Sequence, residues 1–279
     1  MILRLCHILT CEHRQPVARA AHLLRLRPRT LAWQRVRRFT LTASPLPSKQ
    51  RDGVDHFGNP LACMFHDFAH ERLEIASDGL IEVSERPAPS TTPPWEQVAD
   101  AARTKAWAWR EAEFAFPSPS APALPEARAF AAPSFQPGRP VGEAASCLAR
   151  RVGQEFRHLP AGVARGALSR VLAERAGSGR DLEHVMIAGL RGLGLPARAV
   201  TGYAVMNTSA AVRLHAWTSC WLGPGLGWID LEPGCDAAGR RICLGWGRDH
   251  DEYSVVRGVL PGGAISVINA SVELRPADA

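Results

Sequence analysis

The chain has 279 residues, 46% of them hydrophobic and 22% charged, which is typical of a globular protein with one large or two modest domains. Its net charge of +6 comes almost entirely from arginine, and no basic motif with interleaved aromatic residues accompanies it, so we expect no nucleic-acid partner. The seven cysteines are scattered and contain no CxxC pair, which argues against a zinc site and a disulfide framework. The sequence has no apolar run long enough for a membrane span, and its first residues do not resemble a signal peptide. We therefore expect a cytoplasmic protein without metal or cofactor.

Residues 1–86 are predicted to form an antiparallel β domain. Their composition favours short strands, with partial alternation of apolar and polar positions, at 2–10, 34–41, 64–68 and 73–83. A cluster of turn residues at 55–60 separates two of these segments, and residues 18–26 fit a helix or a strand equally well. Short strands joined by turns are typical of a sheet or a sandwich.

Residues 87–140 are interpreted as a proline-rich linker that contains one helix. Residues 87–94 have the linker composition PAPSTTPP, and apolar positions recur with helical spacing over residues 95–115. Seven prolines fall within residues 117–140. We therefore expect that last segment to be extended or irregular, and to cover a surface rather than to build a core.

Residues 141–279 are predicted to form a core of helices followed by an antiparallel sheet. Apolar residues at three- and four-residue spacing predict helices at 142–158, 166–175 and 181–193. Gly194 followed by Pro196 ends the third helix. Strands are predicted at 197–204, 211–222, 228–231 and 265–274. Helices followed by strands indicate an α+β fold.

The third helix begins at the sequence Gly177-Ser178-Gly179-Arg180-Asp181. A helix N-terminus is a favourable place for a thiol nucleophile, because it lowers the pKa of the thiol and supplies N–H groups that hold an oxyanion. Gly179 has no side chain and cannot attack a substrate. Ser178 is the alternative nucleophile, one residue away, and Asp181 is expected to cap the helix.

A histidine and two acids follow in strand-like segments. A histidine can take the proton of a nucleophile while a carboxylate fixes its tautomer. His215 is therefore the candidate base and Glu232 the candidate acid, with Asp230 as the alternative acid on the same strand. Cys220 lies at an odd spacing from His215, which predicts the opposite face of the strand.

Residues 166–233 resemble the core of the bacterial transglutaminase-like, papain-related superfamily. The motifs of that family, G-x-C-R-D-x-x-H, H-A-W and G-W-x-x-x-D-P, correspond here to residues 177–184, 215–217 and 227–233. Further matches lie at residues 195–198, 202–203, 247–249 and 256–258, and the family's N-terminal β domain is matched at 24–29, 55–59 and 70–73. The resemblance covers nearly the whole chain and is weakest over residues 86–140. It places Gly179 at the family's cysteine and Glu232 at its aspartate.

The resemblance implies an N-terminal antiparallel β domain followed by a papain-like transglutaminase core, with His215 and Glu232 as the remaining catalytic frame. The implied substrate-binding residues are Trp217, Trp228, Arg180 and Asp181. We predict a non-catalytic protein that binds a peptide or protein through a vestigial cleft, and the resemblance suggests a peptide-ligase-type (ATP-grasp-like) partner. The alternative is an amide hydrolase or acyl transferase that uses His215 with Ser178 or an activated water.

Two further polar groups stand outside this frame. Residues 249–252, Asp-His-Asp-Glu, resemble a metal cluster by composition, but their setting in a polar segment predicts a solvated turn without a metal. His184 lies one helical turn after Asp181, and we expect it to make a structural hydrogen bond there.

Overall fold

The computed structural model describes residues 1–86, 89–160, 166–204, 214–234, 241–260 and 266–277. Within these ranges the α-helices are Trp95–Thr104 (α1), Trp109–Ala112 (α2), Pro125–Ala131 (α3), Val141–Glu155 (α4), Leu168–Glu174 (α5) and Gly179–Gly192 (α6). The strands are Ile2–Val17 (β1), Ala20–Leu24 (β2), Gln34–Ser44 (β3), Lys49–Val54 (β4), Pro60–His66 (β5), His70–Val83 (β6), Arg157–His158 (β7), Ala176–Gly177 (β8), Ala197–Ala204 (β9), Leu214–Trp221 (β10), Trp228–Leu231 (β11), Arg241–Gly247 (β12), Val256–Val259 (β13) and Ser266–Pro276 (β14).

The N-terminal strands form a β sandwich, as the sequence predicts. Its two antiparallel sheets have the strand orders β14-β1-β6-β3 and β13-β2-β5-β4. Side chains in β1 and β6 alternate between buried and more exposed positions, which gives each strand one apolar face. The sandwich core joins Leu9 and Ile75 of one sheet to Leu24 and Met64 of the other.

The last two strands also belong to this sandwich. In β13, Val256 pairs with Leu24, and in β14, Leu274 pairs with Leu5. The sequence analysis assigned residues 265–274 to the sheet of the second half, and that assignment was wrong. The local pattern of a strand indicates its period and its buried face but does not name a partner more than 200 residues away. Residues 211–213 and 265 of the predicted strands lie outside the described residues.

The second half contains a layer of helices on an antiparallel sheet with strand order β11-β10-β9-β12. The helix α6 is buried along most of its length and packs on β9 and β10. Its apolar stripe, Leu182, Val185, Met186 and Leu190, joins one continuous core with α4 and the near face of the sheet. The α+β class is thereby confirmed. In the described ranges no helix is both long and apolar enough to cross a bilayer.

The helix predicted over residues 95–115 is interrupted. The helix α1 ends at Lys105, whose backbone is extended, and 3₁₀ turns flank the single turn of α2. The apolar spacing continues through the break, so the sequence pattern did not reveal it. After the break Phe114 packs edge-to-face on Trp228, with ring centroids 5.4 Å apart. The chain makes this long-range aromatic contact after the break, instead of continuing as a straight helix.

The proline-rich segment 117–140 contributes to the core, contrary to the prediction of a surface wrap. Pro125 occupies the first turn of α3, where its missing N–H costs nothing. The helix then buries Ala127, Phe130 and Ala131 in the same core as α6. A Cβ added at Gly189 of α6 would lie 3.0 Å from the Ala131 Cβ, so the absence of a side chain there allows the two helices to approach closely.

Candidate functional site

The N-terminus of α6 is closed by a capping box. Ser178 is the N-cap residue, and its hydroxyl donates to Asp181 Oδ2 at 2.8 Å. The same carboxylate accepts the Ser178 backbone N–H at 2.8 Å. The predicted capping role of Asp181 is therefore confirmed. Both the hydroxyl of Ser178 and the carboxylate of Asp181 are engaged in holding the helix start.

Gly179 has ordinary helical backbone angles and is not one of the glycines with positive φ. A Cβ added there would contact only His158 Nε2, at 3.5 Å, among the atoms of described residues within 4 Å. Gly177 differs, because a Cβ there would lie 2.7 Å from the Asp181 Cβ and 3.0 Å from Val171 Cγ1. The fold thus requires a glycine at 177 but has room for a side chain at 179.

His158 was not singled out from the sequence. It reaches the start of α6 because β7 pairs in parallel with β8, which places His158 opposite Gly177. The ring is exposed. No motif in the sequence marks this residue, since a two-residue parallel bridge has no recognisable pattern.

His215 and Glu232 are brought together, as predicted. His215 Nε2 lies 2.8 Å from Glu232 Oε1, and Arg241, which the sequence analysis missed, lies 2.8 Å from Glu232 Oε2. Burial acts to raise the pKa of Glu232, but the hydrogen bond with His215 and the charge of Arg241 outweigh it, so the pKa is lowered. Glu232 is thus held as a carboxylate that orients the imidazole through Nε2. The other ring nitrogen, Nδ1, is not part of this contact.

The two faces of β10 have different neighbours. On the face toward α6, Thr218 Oγ1 donates to the Glu183 carbonyl, and Cys220 lies in the helical core. On the opposite face, Trp217 lines a cavity, and the His215 ring stacks near it with centroids 6.2 Å apart. The alternation predicted for Cys220 is confirmed. His215 is more than 4 Å from a Cβ built at Gly179, and the histidine next to that Cβ is His158.

The remaining predicted site residues are distributed as follows. Asp230 is hydrogen-bonded to Ser219 and lies 3.4 Å from an Arg86 nitrogen, so its carboxylate contacts groups other than His215. Trp217 is fully buried and Trp228 half-buried, and both line the cavity of about 1020 Å³ on this face of the sheet. Arg180 is exposed at the first turn of α6.

The turn at residues 249–252 is partly buried: Asp249 and His250 are buried, whereas Asp251 is exposed, so the prediction of a solvated turn was wrong for the first two residues. Asp249 accepts backbone N–H groups from Ser120, Asp251 and Glu252 at 2.9–3.1 Å. These bonds bury the turn against the segment that carries Ser120. His250 is also buried and is paired with Glu183. Across the described ranges no three His, Cys, Asp or Glu side chains are placed to hold a metal ion.

His184 packs against this turn. Its ring lies 5.1 Å from the ring of His250, and burial, with the neighbouring His250, lowers the pKa of His184 to about 4. The hydrogen bond expected between His184 and Asp181 is not formed between these two described residues, and Asp181 Oδ2 accepts hydrogen bonds from Ser178.

Comparison with known proteins extends these observations over the whole chain. The bacterial transglutaminase-like N-terminal region matches residues 3–82, and the transglutaminase-like superfamily matches residues 128–233. Uncharacterized proteins of Mycobacterium tuberculosis and Mycobacterium bovis are 31% identical over 271 residues, which covers 90% of this chain and 85% of theirs. The crystal structure of a candidate cysteine protease from Cytophaga hutchinsonii superposes with a TM-score of 0.76 at 17% identity, over 100% of this chain and 91% of that one. At that identity the superposition shows a shared fold.

Proposed function

The chain belongs to the transglutaminase-like superfamily, and from this premise we propose that it binds a peptide or protein partner through the family's cleft without thiol catalysis. The observation that carries this proposal is Gly179. It stands at the N-terminus of α6, where the family's motif has cysteine, and it has no side chain although the fold has room for one.

The neighbouring candidate nucleophiles support the loss of thiol chemistry. The Ser178 hydroxyl is bonded to Asp181. Cys220 is fully buried in the helical core, and burial raises the pKa of its thiol to about 12. A thiol with that pKa is almost entirely protonated at neutral pH and is a poor nucleophile.

The sheet face that carries His215 supports a binding role. Glu232 and Arg241 still hold the imidazole in a fixed orientation, and Trp217 and Trp228 line the adjacent cavity. Aromatic side chains in a cavity wall, accompanied by polar groups that orient a ligand, are typical of ligand sites. The same His215–Glu232 pair favours the second candidate function, an amide hydrolase or acyl transferase in which His215 activates a water.

We also propose a cytoplasmic location and a peptide-ligase-type partner. The free state of the six cysteines within the described residues is compatible with a reducing compartment; Cys235 lies outside them. The partner class comes from the family resemblance alone.

The test compares the wild type with Gly179→Cys and Gly179→Ala. Each protein is incubated with a glutamine-containing peptide and with an activated ester, and the acyl-enzyme is measured by intact mass. We expect an acyl adduct only in Gly179→Cys, because Gly179→Ala adds the same Cβ without a thiol. Turnover by the wild type that His215→Ala abolishes would show that the second candidate function is the correct one.

Binding is measured in parallel with the same peptide by fluorescence anisotropy. We expect the wild type to bind it and Trp228→Ala to bind it more weakly, because Trp228 is part of the cavity wall. Absence of binding to a panel of such peptides would contradict the binding half of the proposal.

A further inference from the structure

The cavity on the far face of the core sheet contains a buried arginine whose Nε has no hydrogen-bond acceptor among the described residues. Arg198 of β9 lines this cavity and is 9% exposed. Its Nε has no hydrogen-bond partner, and no described residue forms an ion pair with the guanidinium. Asp230 of β11 and Arg198 of β9 lie on either side of Ser219 in the sheet. The Asp230 carboxylate is bonded to Ser219 and Arg86 and not to Arg198.

The guanidinium is fixed by aromatic stacking. Its central carbon lies 4.0 Å from the ring centroid of Trp228 and 3.7 Å from that of Trp246. Arg29 lies 3.6 Å from the Trp246 centroid, which places it on the opposite face of that indole. Because the stacking occupies the guanidinium faces, its N–H donors are available only at the edge of its plane. A planar acceptor with two oxygens matches such an edge.

A second unpaired donor lies on the same sheet face. The indole Nε1–H of Trp217 is buried and has no hydrogen-bond partner in the part of the chain that the structure describes, and Trp217 lines the same cavity. Trp217 pairs with Val200 on β9 and Ser219 pairs with Arg198, so Trp217 and Arg198 are diagonal neighbours. Buried donors without acceptors are costly, so two of them in the side chains of one cavity wall favour a ligand that accepts hydrogen bonds over one that donates them.

The charge of the cavity favours a monoanion over a phosphate group. Burial lowers the pKa of Arg198 to about 9, which still leaves it charged at neutral pH. With Arg198 included, the charges of the lining balance, because it holds four arginines and four carboxylates: Arg29, Arg86, Arg110, Arg198, Glu85, Glu111, Glu113 and Asp230. Such a lining has no excess of positive charge for a dianion.

We propose that this cavity binds a carboxylate group of a peptide, held at the edge of the Arg198 guanidinium. The inference rests on the proposed function, since it names the chemical group of a peptide that this cavity recognises; Trp217 and Trp228 line the cavity, whereas Gly179 and His215 are outside its lining. The carboxylate is either the C-terminus of a peptide or the side chain of an acidic residue, and both present the same two oxygens.

The experiment measures binding by isothermal titration calorimetry with four probes. N-acetyl-dialanine carries a terminal carboxylate, the α-amide of N-acetylglutamate carries only a side-chain carboxylate, N-acetyl-dialanine amide is neutral, and inorganic phosphate is the competing anion. The proteins are the wild type, Arg198→Met and Arg170→Met. Arg170 of α5 is the matched control, because the same substitution is made at an exposed arginine outside the cavity lining.

We expect at least one carboxylate probe to bind the wild type and Arg170→Met equally, and Arg198→Met about tenfold or more weakly, since a hydrogen-bonded ion pair is lost. The carboxylate probe that binds identifies the source of the group. Preference for phosphate, equal binding to Arg198→Met, or no binding by either carboxylate probe would overturn the inference.

A second measurement separates binding from folding. Arg198→Met replaces a buried cation that has no hydrogen bonds with an apolar side chain of similar length, so the ligand-free variant is expected to unfold at an equal or higher urea concentration. The bound carboxylate raises the midpoint of the wild type and leaves that of the variant unchanged. A variant that is much less stable, together with a wild type that no carboxylate stabilises, would show that the stack is only structural. These readouts are independent of acyl-enzyme formation, which tests the proposed function.

Discussion

Gly179→Ala is expected to stabilise the protein, although the position lies in a motif that the family uses for catalysis. Replacing a glycine in a compatible backbone by alanine restricts the unfolded chain and adds about 0.4–1 kcal/mol of stability. Here the backbone is helical, and the nearest contact of the new Cβ is His158 Nε2 at an ordinary 3.5 Å. The position is in the first helical turn, where helix propensity has less effect than in the interior, so we expect about 0.5 kcal/mol.

The measurement is urea unfolding followed by tryptophan fluorescence, with a thermal scan in parallel. An increase of about 0.5 kcal/mol corresponds to a rise of about 1–2 °C in Tm for a chain of this size. Gly177→Ala is the matched control two residues away, where the new Cβ would lie 2.7 Å from the Asp181 Cβ. Overpacking there is expected to cost about 1–3 kcal/mol.

A loss of stability in Gly179→Ala comparable to that in Gly177→Ala would refute this reasoning. It would show that the fold itself demands glycine at 179. The absence of a nucleophile would then be a consequence of backbone geometry, and the argument for a lost catalytic function would lose its main support.

Three further predictions concern charged groups. Arg191→Met is expected to cost about 3 kcal/mol in urea unfolding, because Arg191 is buried and donates to the Phe114 and Ala197 carbonyls at 2.8 Å; Met at exposed Arg170 should change the midpoint little. Burial lowers the pKa of His7, His22 and His184 to about 4, so the folded state keeps these histidines neutral while the unfolded state binds protons below pH 6.5. The free energy of unfolding should therefore fall from pH 6.5 towards pH 4, by up to about 2 kcal/mol for each histidine between pH 7 and pH 5. A flat profile of stability against pH would contradict this prediction. Arg241→Met removes a cation from Glu232 and should raise the pKa of that carboxyl in a carbon-13 NMR titration, whereas an unchanged titration would show that the hydrogen bond with His215 is sufficient.

The parts of the fold that sequence predicted well are those encoded locally. The spacing of Leu182, Val185, Met186 and Leu190 predicted the buried stripe of α6, and Ser178 with Asp181 supplied its cap. The pairing of His215 with Glu232 followed from motifs of the family.

The parts that sequence did not predict depend on distant partners. Arg241 and His158 reach the site through strand pairing, and neither stands in a recognisable motif. The burial of Asp249 follows from Ser120, 129 residues earlier, and polar composition alone suggested a solvated turn. The packing of α3 on α6 depends on a close approach at Gly189 that no periodicity reveals.

The return of β14 to pair with β1 has a consequence for how the chain is made. Residues 3–13 find their antiparallel partners at residues 266–276, so this edge of the first sheet stays open until residues more than 250 positions later have been synthesised. An unpaired edge of eleven residues is a template for wrong pairing. The sheet therefore closes long after its first strand is made, and a truncation that removes β14 is expected to expose β1 and promote aggregation of a chain whose candidate site is untouched.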